Sequence, residues 1–243
     1  MILDIYKDAL EYSAKDWKTL VVLGVICLFS FLLLPVFLIT GYNYRVINTA
    51  VHGVINGRDP LPGFDDLISM FVDGIKVVIV QIAYLIVPAI IFFVFAIVAG
   101  QFGGSLSVAL LIVGCLISLI IGVAACLMSQ MGMCHMAYND GAFSKAFALT
   151  EIKEAIDEIG WFKCIATYLG LIIITVVISF VVTAIIGLVF TVFGISGFAL
   201  GADPSGIFVL GALINFLVAM FIVGPYLSIF NARSIGLLYT MQI

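Results

Sequence analysis

Residues 77–139 form a run of 63 with no Asp, Glu, Lys or Arg. Three more charge-free runs accompany it: residues 19–44 (26 long), 164–202 (39) and 204–232 (29). A helix on a water-soluble protein turns one face to solvent and carries charge there, so such runs do not suit a globular core. They suit hydrocarbon, where roughly 20 apolar residues cross about 30 Å. At that length the longest run holds two spans and a turn, and each of the others holds one. The expected fold is therefore all-α: a polytopic helical membrane protein with about five transmembrane segments. Composition agrees, with 10% charged residues against about 25% in soluble proteins, and a mean hydropathy of +1.32.

The net charge of −4 comes from scattered bases and acids with no dense basic run. That argues against nucleic acid as a partner and against a strong grip on anionic headgroups. The expected partners are membrane lipid, other membrane proteins or further copies of the chain. The first residues include Asp4 and Asp8 where a secretory leader carries only bases, so no removable leader is expected. The five cysteines lie within or at the ends of apolar runs and read as small buried hydrophobes rather than a disulfide framework.

Between the apolar runs lie three acidic, amphipathic stretches: residues 4–18, 66–76 and 151–163. Each ends in a lysine (Lys18, Lys76, Lys163) at the edge of a charge-free run, and Trp17 and Trp161 sit near two of those edges. Indole rings favour the headgroup level, so each stretch reads as an interfacial elbow helix turning into a span. Gly41-Tyr42, Gly132 and Gly224-Pro225-Tyr226 open similar polar clips at the ends of the units. Together these predict a degenerate three-fold repeat within one integral membrane domain, with units at about 1–58, 59–140 and 141–243.

Charge leaves two topologies open. With five spans, Arg45, Arg58, Lys76, Lys145, Lys153, Lys163 and Arg233 share one side, cytoplasmic by the positive-inside bias, while Lys7, Lys15 and Lys18 lie outside. A first run folded as a shallow re-entrant hairpin, broken near Ser30–Pro35, instead puts every base on one side. Its length of one ordinary span favours the first arrangement; charge favours the second.

Within the runs, small and hydroxylated residues recur every fourth position: Gly114, Ser118, Gly122, Cys126 and Gln130, then Thr175, Ser179, Thr183, Gly187 and Thr191. Residues so spaced share a helix face. Such stripes let helices approach closely in lipid, and the alternative is a polar lining for a permeation path. No charged residue lies inside the runs, which argues against ion-coupled transport. Cys126, Cys134 and His135 lack the four ligands of a structural zinc site. No Gly-x-Ser-x-Gly element frames a nucleophile. No catalytic residue, cofactor or metal is expected.

The polar joint after the first run carries a resemblance. Asp16-Trp17 before that run, Gly41-Tyr42 with Arg45, Pro60-Leu61-Pro62 followed by Asp65-Asp66, and Asp73-Gly74 with Lys76 are similar to an archaeal membrane family. It is catalogued only as a domain of unknown function (number four thousand and thirteen), common in methanogens. Phe64 stands where that family usually has an aromatic such as Trp. The likeness is densest between about Asp16 and Pro88 and implies an integral membrane protein, with no activity to carry over. The sequence thus points to a non-enzymatic, multi-pass protein of the cell membrane with a structural, assembly or membrane-organising role. The alternative is a carrier or channel for a neutral or weakly polar small molecule.

Overall fold

The computed structural model describes residues 2–32, 34–201 and 203–242, and every regular element among them is helical. The order is α1 (Ile2–Ser13), α2 (Trp17–Leu28), α3 (Leu34–Val51), α4 (Leu67–Ala99), α5 (Gly104–Tyr138), α6 (Leu149–Ile159), α7 (Trp161–Ala199), α8 (Ser205–Val218) and α9 (Gly224–Tyr239). Four helices are long and apolar enough to cross a membrane: α4, α5, α7 and the continuous stretch Ser205–Tyr239.

The first apolar run is not one helix. α2 has 12 residues, about 18 Å at 1.5 Å per residue, which falls well short of about 30 Å of hydrocarbon. A 3-10 turn at Ser30–Leu32 follows it, and Pro35 then sits in the first turn of α3, where a missing N–H leaves no bond unmade. Thr19 of α2 lies beside Tyr42 of α3, so the two helices run antiparallel and both outer ends return to the same end of the molecule.

The three expected elbows differ. α1 and α6 are separate helices that bury one face, Ile5, Ala9 and Tyr12 in the first and Ile152, Ile156 and Ile159 in the second. Asp16 caps α2, accepting from the Lys18 N–H at 3.0 Å, and Gly160, at φ 98°, turns α6 into α7. The stretch 66–76 is no separate elbow. Asp66 caps α4 at the Ser69 N–H (3.1 Å), and the helix runs unbroken into the apolar segment because no proline interrupts its backbone ladder before Pro88.

The last run shows the opposite outcome to the first. Its Gly224-Pro225 pair does not break the helix; a five-residue π segment, Ala219–Val223, precedes it. The wider turn accommodates the missing N–H of Pro225 and its clash with the preceding turn. α2 packs against this segment, and a Cβ on Gly24 would stand 2.7 Å from the Phe221 Cα.

Packing is concentrated at one end. α1, α3, α6, α9 and the adjoining parts of α4, α5 and α7 enclose Tyr12, Tyr42, Met131, Ile156, Phe230 and Leu237 there. All 10 Lys and Arg residues belong to elements of that end. Beyond it extend two hairpins, α4–α5 and α7–α8, each packing a glycine on an aromatic ring: Gly114 on Phe95, Gly194 on Phe208 and Gly211 on Phe190. In their most apolar stretches no more than 11% of residues are buried. The hairpins meet along α5 and α7, while α8 packs on α7 and on its own continuation.

Candidate functional site

The family-like motif residues converge on the joint between α3 and α4. A Cβ on Gly41 would stand 1.8 Å from the Met70 carbonyl oxygen, and one on Gly74 1.8 Å from that of Phe37. Two glycines thus allow backbone-to-backbone contact that any side chain would block. Arg45 donates to the carbonyls of Asp65 (2.6 Å) and Asp66 (2.8 Å), fastening the loop to α3. Tyr42 stacks on Phe64 at 4.9 Å, Tyr12 donates to the Pro60 carbonyl at 2.9 Å, and Lys76 pairs with Asp73 at 3.1 Å. Pro62 and Asp65 line a polar hollow beside Arg45. Every motif residue that packs here serves the joint.

A buried ion cluster closes the same end. Arg233 on α9 is wholly buried; its Nε lies 3.0 Å from Asp8 Oδ1 and its Nη2 2.9 Å from Asp59 Oδ2. The guanidinium also sits 4.5 Å from the centre of the Tyr12 ring, a favourable cation–π distance. Burial pushes the Tyr12 phenol up to about 12, so it stays neutral and keeps donating to Pro60. Asp8 accepts from the Asn56 N–H at 2.5 Å. The cluster ties α1, the loop after α3 and α9 together across 225 residues of chain. Composition and local spacing do not reveal it. The one hint is Arg233 itself, the sole charged residue after Asp203.

A second polar relay joins α5, α6 and α9. His135 Nδ1 lies 2.5 Å from the Tyr239 hydroxyl and its Nε2 2.9 Å from Glu151 Oε2, while Lys145 reaches Glu151 at 2.7 Å. Lys145 and then His135 hold the Glu151 carboxyl below its usual range. Weighed in the sequence only as a zinc ligand beside Cys126 and Cys134, His135 instead pairs with Glu151 and Tyr239, which come from other helices. The relay runs from Glu151, with 46% of its side chain exposed, to Tyr239, 1% exposed within the packed base. Among the described residues no three His, Cys, Asp or Glu side chains gather as metal ligands.

The stripes separate by environment. On α5, Gly114 meets Phe95, the Ser118 hydroxyl donates to the Pro88 carbonyl at 2.7 Å, and Gly122 faces the Pro88 ring. Cys126 lies beside the Tyr168 hydroxyl. On α7, Thr175 and Ser179 are half-buried, whereas Thr183, Gly187 and Thr191 are exposed, and nothing approaches Gly187 within 4 Å. The α7 stripe therefore does not line one continuous path; its second half faces outward.

The polar interior lies elsewhere. A cavity of about 170 Å³ between α3, α4, α5 and α9 is lined by the side chains of Asn43, Gln81, Gln130 and Asn231. It shares Gln130 and Asn231 with a hollow of about 320 Å³ reaching Tyr168 and Thr175. That hollow shares Tyr168 and Ile172 with an apolar cleft of about 570 Å³ between α4, α5 and α7. Neutral amides at one end and hydrocarbon at the other thus lie along a series of adjacent openings that share walls.

Long apolar helices in two weakly buried hairpins, rooted in a charged and well-packed base, define a polytopic helical membrane protein. A family model described as "Protein of unknown function (DUF4013)" matches residues 25–191, and the chain belongs to that family. The match covers α3, the glycine joint and both long helices of the first hairpin. No curated protein and no solved structure matches the chain.

Proposed function

We propose that the chain is a non-enzymatic, multi-pass protein of the cell membrane that organises lipid or partner helices around its two apolar arms. In this reading α4, α5, α7 and α8–α9 cross the bilayer, and the α2–α3 hairpin enters from the charged base and returns to it. The observation that carries the proposal is the contrast between the ends: the base holds every Lys and Arg and most of the core, while the arms stand almost bare. The positive-inside bias puts the base in the cytoplasm. α1 and α6 then lie in the interface as elbows, residues 1–58 and 141–243 each join an elbow to a hairpin, and residues 59–140 supply a hairpin without a separate elbow. α3, α5 and α9, the returning helices of the three units, pack together at the base, which supports that plan.

Impermeant maleimide labelling of Lys7→Cys, Asp157→Cys and Asp203→Cys, each in a cysteine-free background, tests the topology. The first two are expected to react from one face and the third from the other. Lys7→Cys and Asp203→Cys reacting from the same face would restore five full spans. Saturable solute flux through reconstituted protein would replace the organising role with the second reading, a carrier for a neutral polar solute. The amide-lined cavity is the observation favouring that alternative.

A further inference from the structure

The amides at the inner end of the cavity series lack partners that hydrocarbon cannot supply. Gln81 and Gln130 make no hydrogen bond to the described residues, the Asn43 carbonyl oxygen is buried and unpaired, and Asn231 reaches only Thr175 at 3.4 Å. Unpaired amides in an apolar setting are destabilising, and their pairing is worth more there than in water. Four of them converging on one opening create a demand for a group that both donates and accepts, since each amide offers both.

The hollow beside it shares Tyr168 and Ile172 with the apolar cleft along α5. From Gln130 in the hollow up to Cys115 in the cleft, the two openings together follow 15 residues of α5, about 22 Å, longer than the roughly 15 Å of one leaflet's hydrocarbon. Its volume of about 570 Å³ falls in the range of small-molecule sites, about 300–1,000 Å³. No Asp, Glu, Lys, Arg or His lines any of the three openings. The nearby bases are already engaged, Arg233 by Asp8 and Asp59 and Arg45 by backbone carbonyls. A phosphate head would find no counter-charge.

We propose that this cleft binds one membrane glycerolipid with an uncharged, hydroxyl-bearing head. Its chain lies against Ala89, Gly122 and Ile172, and its head pairs with Gln130 and Asn231. The proposal rests on the membrane-organising reading and gives it a ligand class.

The test uses full-length protein in phosphatidylcholine vesicles with a diacylglycerol carrying a diazirine in its acyl chain. Phosphatidylglycerol and phosphatidylcholine with the same diazirine serve as charged-head probes. Photolabelling by diacylglycerol is expected to concentrate on peptides of α4, α5 and α7 and to be competed by unlabelled diacylglycerol. Gln130→Leu should weaken it about tenfold, the loss of one to two hydrogen bonds. Ala89→Trp should block it while leaving every amide in place, and Thr183→Leu, outside the cleft, should leave it unchanged. Helix content and a single detergent-solubilised species identify variants that remain folded. Equal labelling by all three probes, or unchanged labelling of folded Gln130→Leu, would overturn the site. Chemical conversion of the recovered diacylglycerol would instead reject the non-enzymatic reading and leave the site standing.

Discussion

Removing the Arg233 guanidinium tests how the base is held. Replacing it with Met keeps an unbranched apolar stem and deletes two ion pairs and a cation–π contact at once. Asp8, with 4% of its side chain exposed, is then a buried carboxylate without a counter-charge. Breaking a buried pair by removing one partner costs about 3–5 kcal/mol. The Asp59 pair adds less, because 30% of that side chain is exposed and pairs open to solvent contribute about 1 kcal/mol or below. Arg233→Met should therefore destabilise the protein by about 4 kcal/mol. The assay is SDS-titrated unfolding in mixed micelles, followed by loss of helix content. In Asp8→Leu with Arg233→Met the uncompensated charge is gone, so stability should partly return; the Asn56 N–H left without its acceptor keeps a deficit of about 1–3 kcal/mol. The cycle compares the variants singly and together. If Arg233→Met costs under about 1 kcal/mol, or the double variant is no more stable than the single, the buried cluster is not what joins α1 to α9.

Other consequences are equally direct. Gly74→Ala pushes a methyl into the Phe37 carbonyl and should destabilise by about 1–3 kcal/mol or more through separation of α3 from α4. Gly187→Ala meets nothing within 4 Å and should be neutral or stabilising by up to about 1 kcal/mol; equal effects in the same unfolding assay would refute the contrast. For pH, the folded-state pKa of Glu151 is depressed from 4.5 by Lys145 and His135. Its contribution to stability is therefore complete above that value and is lost as pH falls through the lower folded-state value. Glu151→Gln should flatten the acid limb of the stability profile below about pH 4.5, and an unchanged limb would assign the loss to other carboxylates.

Much of the local structure is readable from single residues. Pro35 and the short apolar stretch before it already allow a broken first run, and the acidic stretch from Asp66 begins a helix; the break at Asp16, inside the expected elbow 4–18, appears only in the structure. Other local signals mislead because neighbours decide their outcome. Gly224-Pro225 reads as an interruption, yet the π segment ahead of it keeps the helix continuous. Asp66 to Lys76 reads as a separate elbow, yet it is the first three turns of α4. The stripes show the limit most clearly: spacing puts Thr175 and Thr183 on one face of α7, but only the length over which α5 and α9 accompany that face determines where it stops being covered.

The sequence by itself determined the solvent. Charge-free runs of this length suit helices set in hydrocarbon, because a helix gives each backbone polar group there a partner within its own segment. The tertiary structure decided what lies next to what. Whether Asp8 shares an end with Arg233, whether His135 finds Glu151, and whether four scattered amides face a single opening all depend on helices brought together from distant parts of the chain. Hydrophobic periodicity is local and cannot encode those meetings; backbone contact at Gly41 and Gly74, and the need of buried charges and amides for partners, select them.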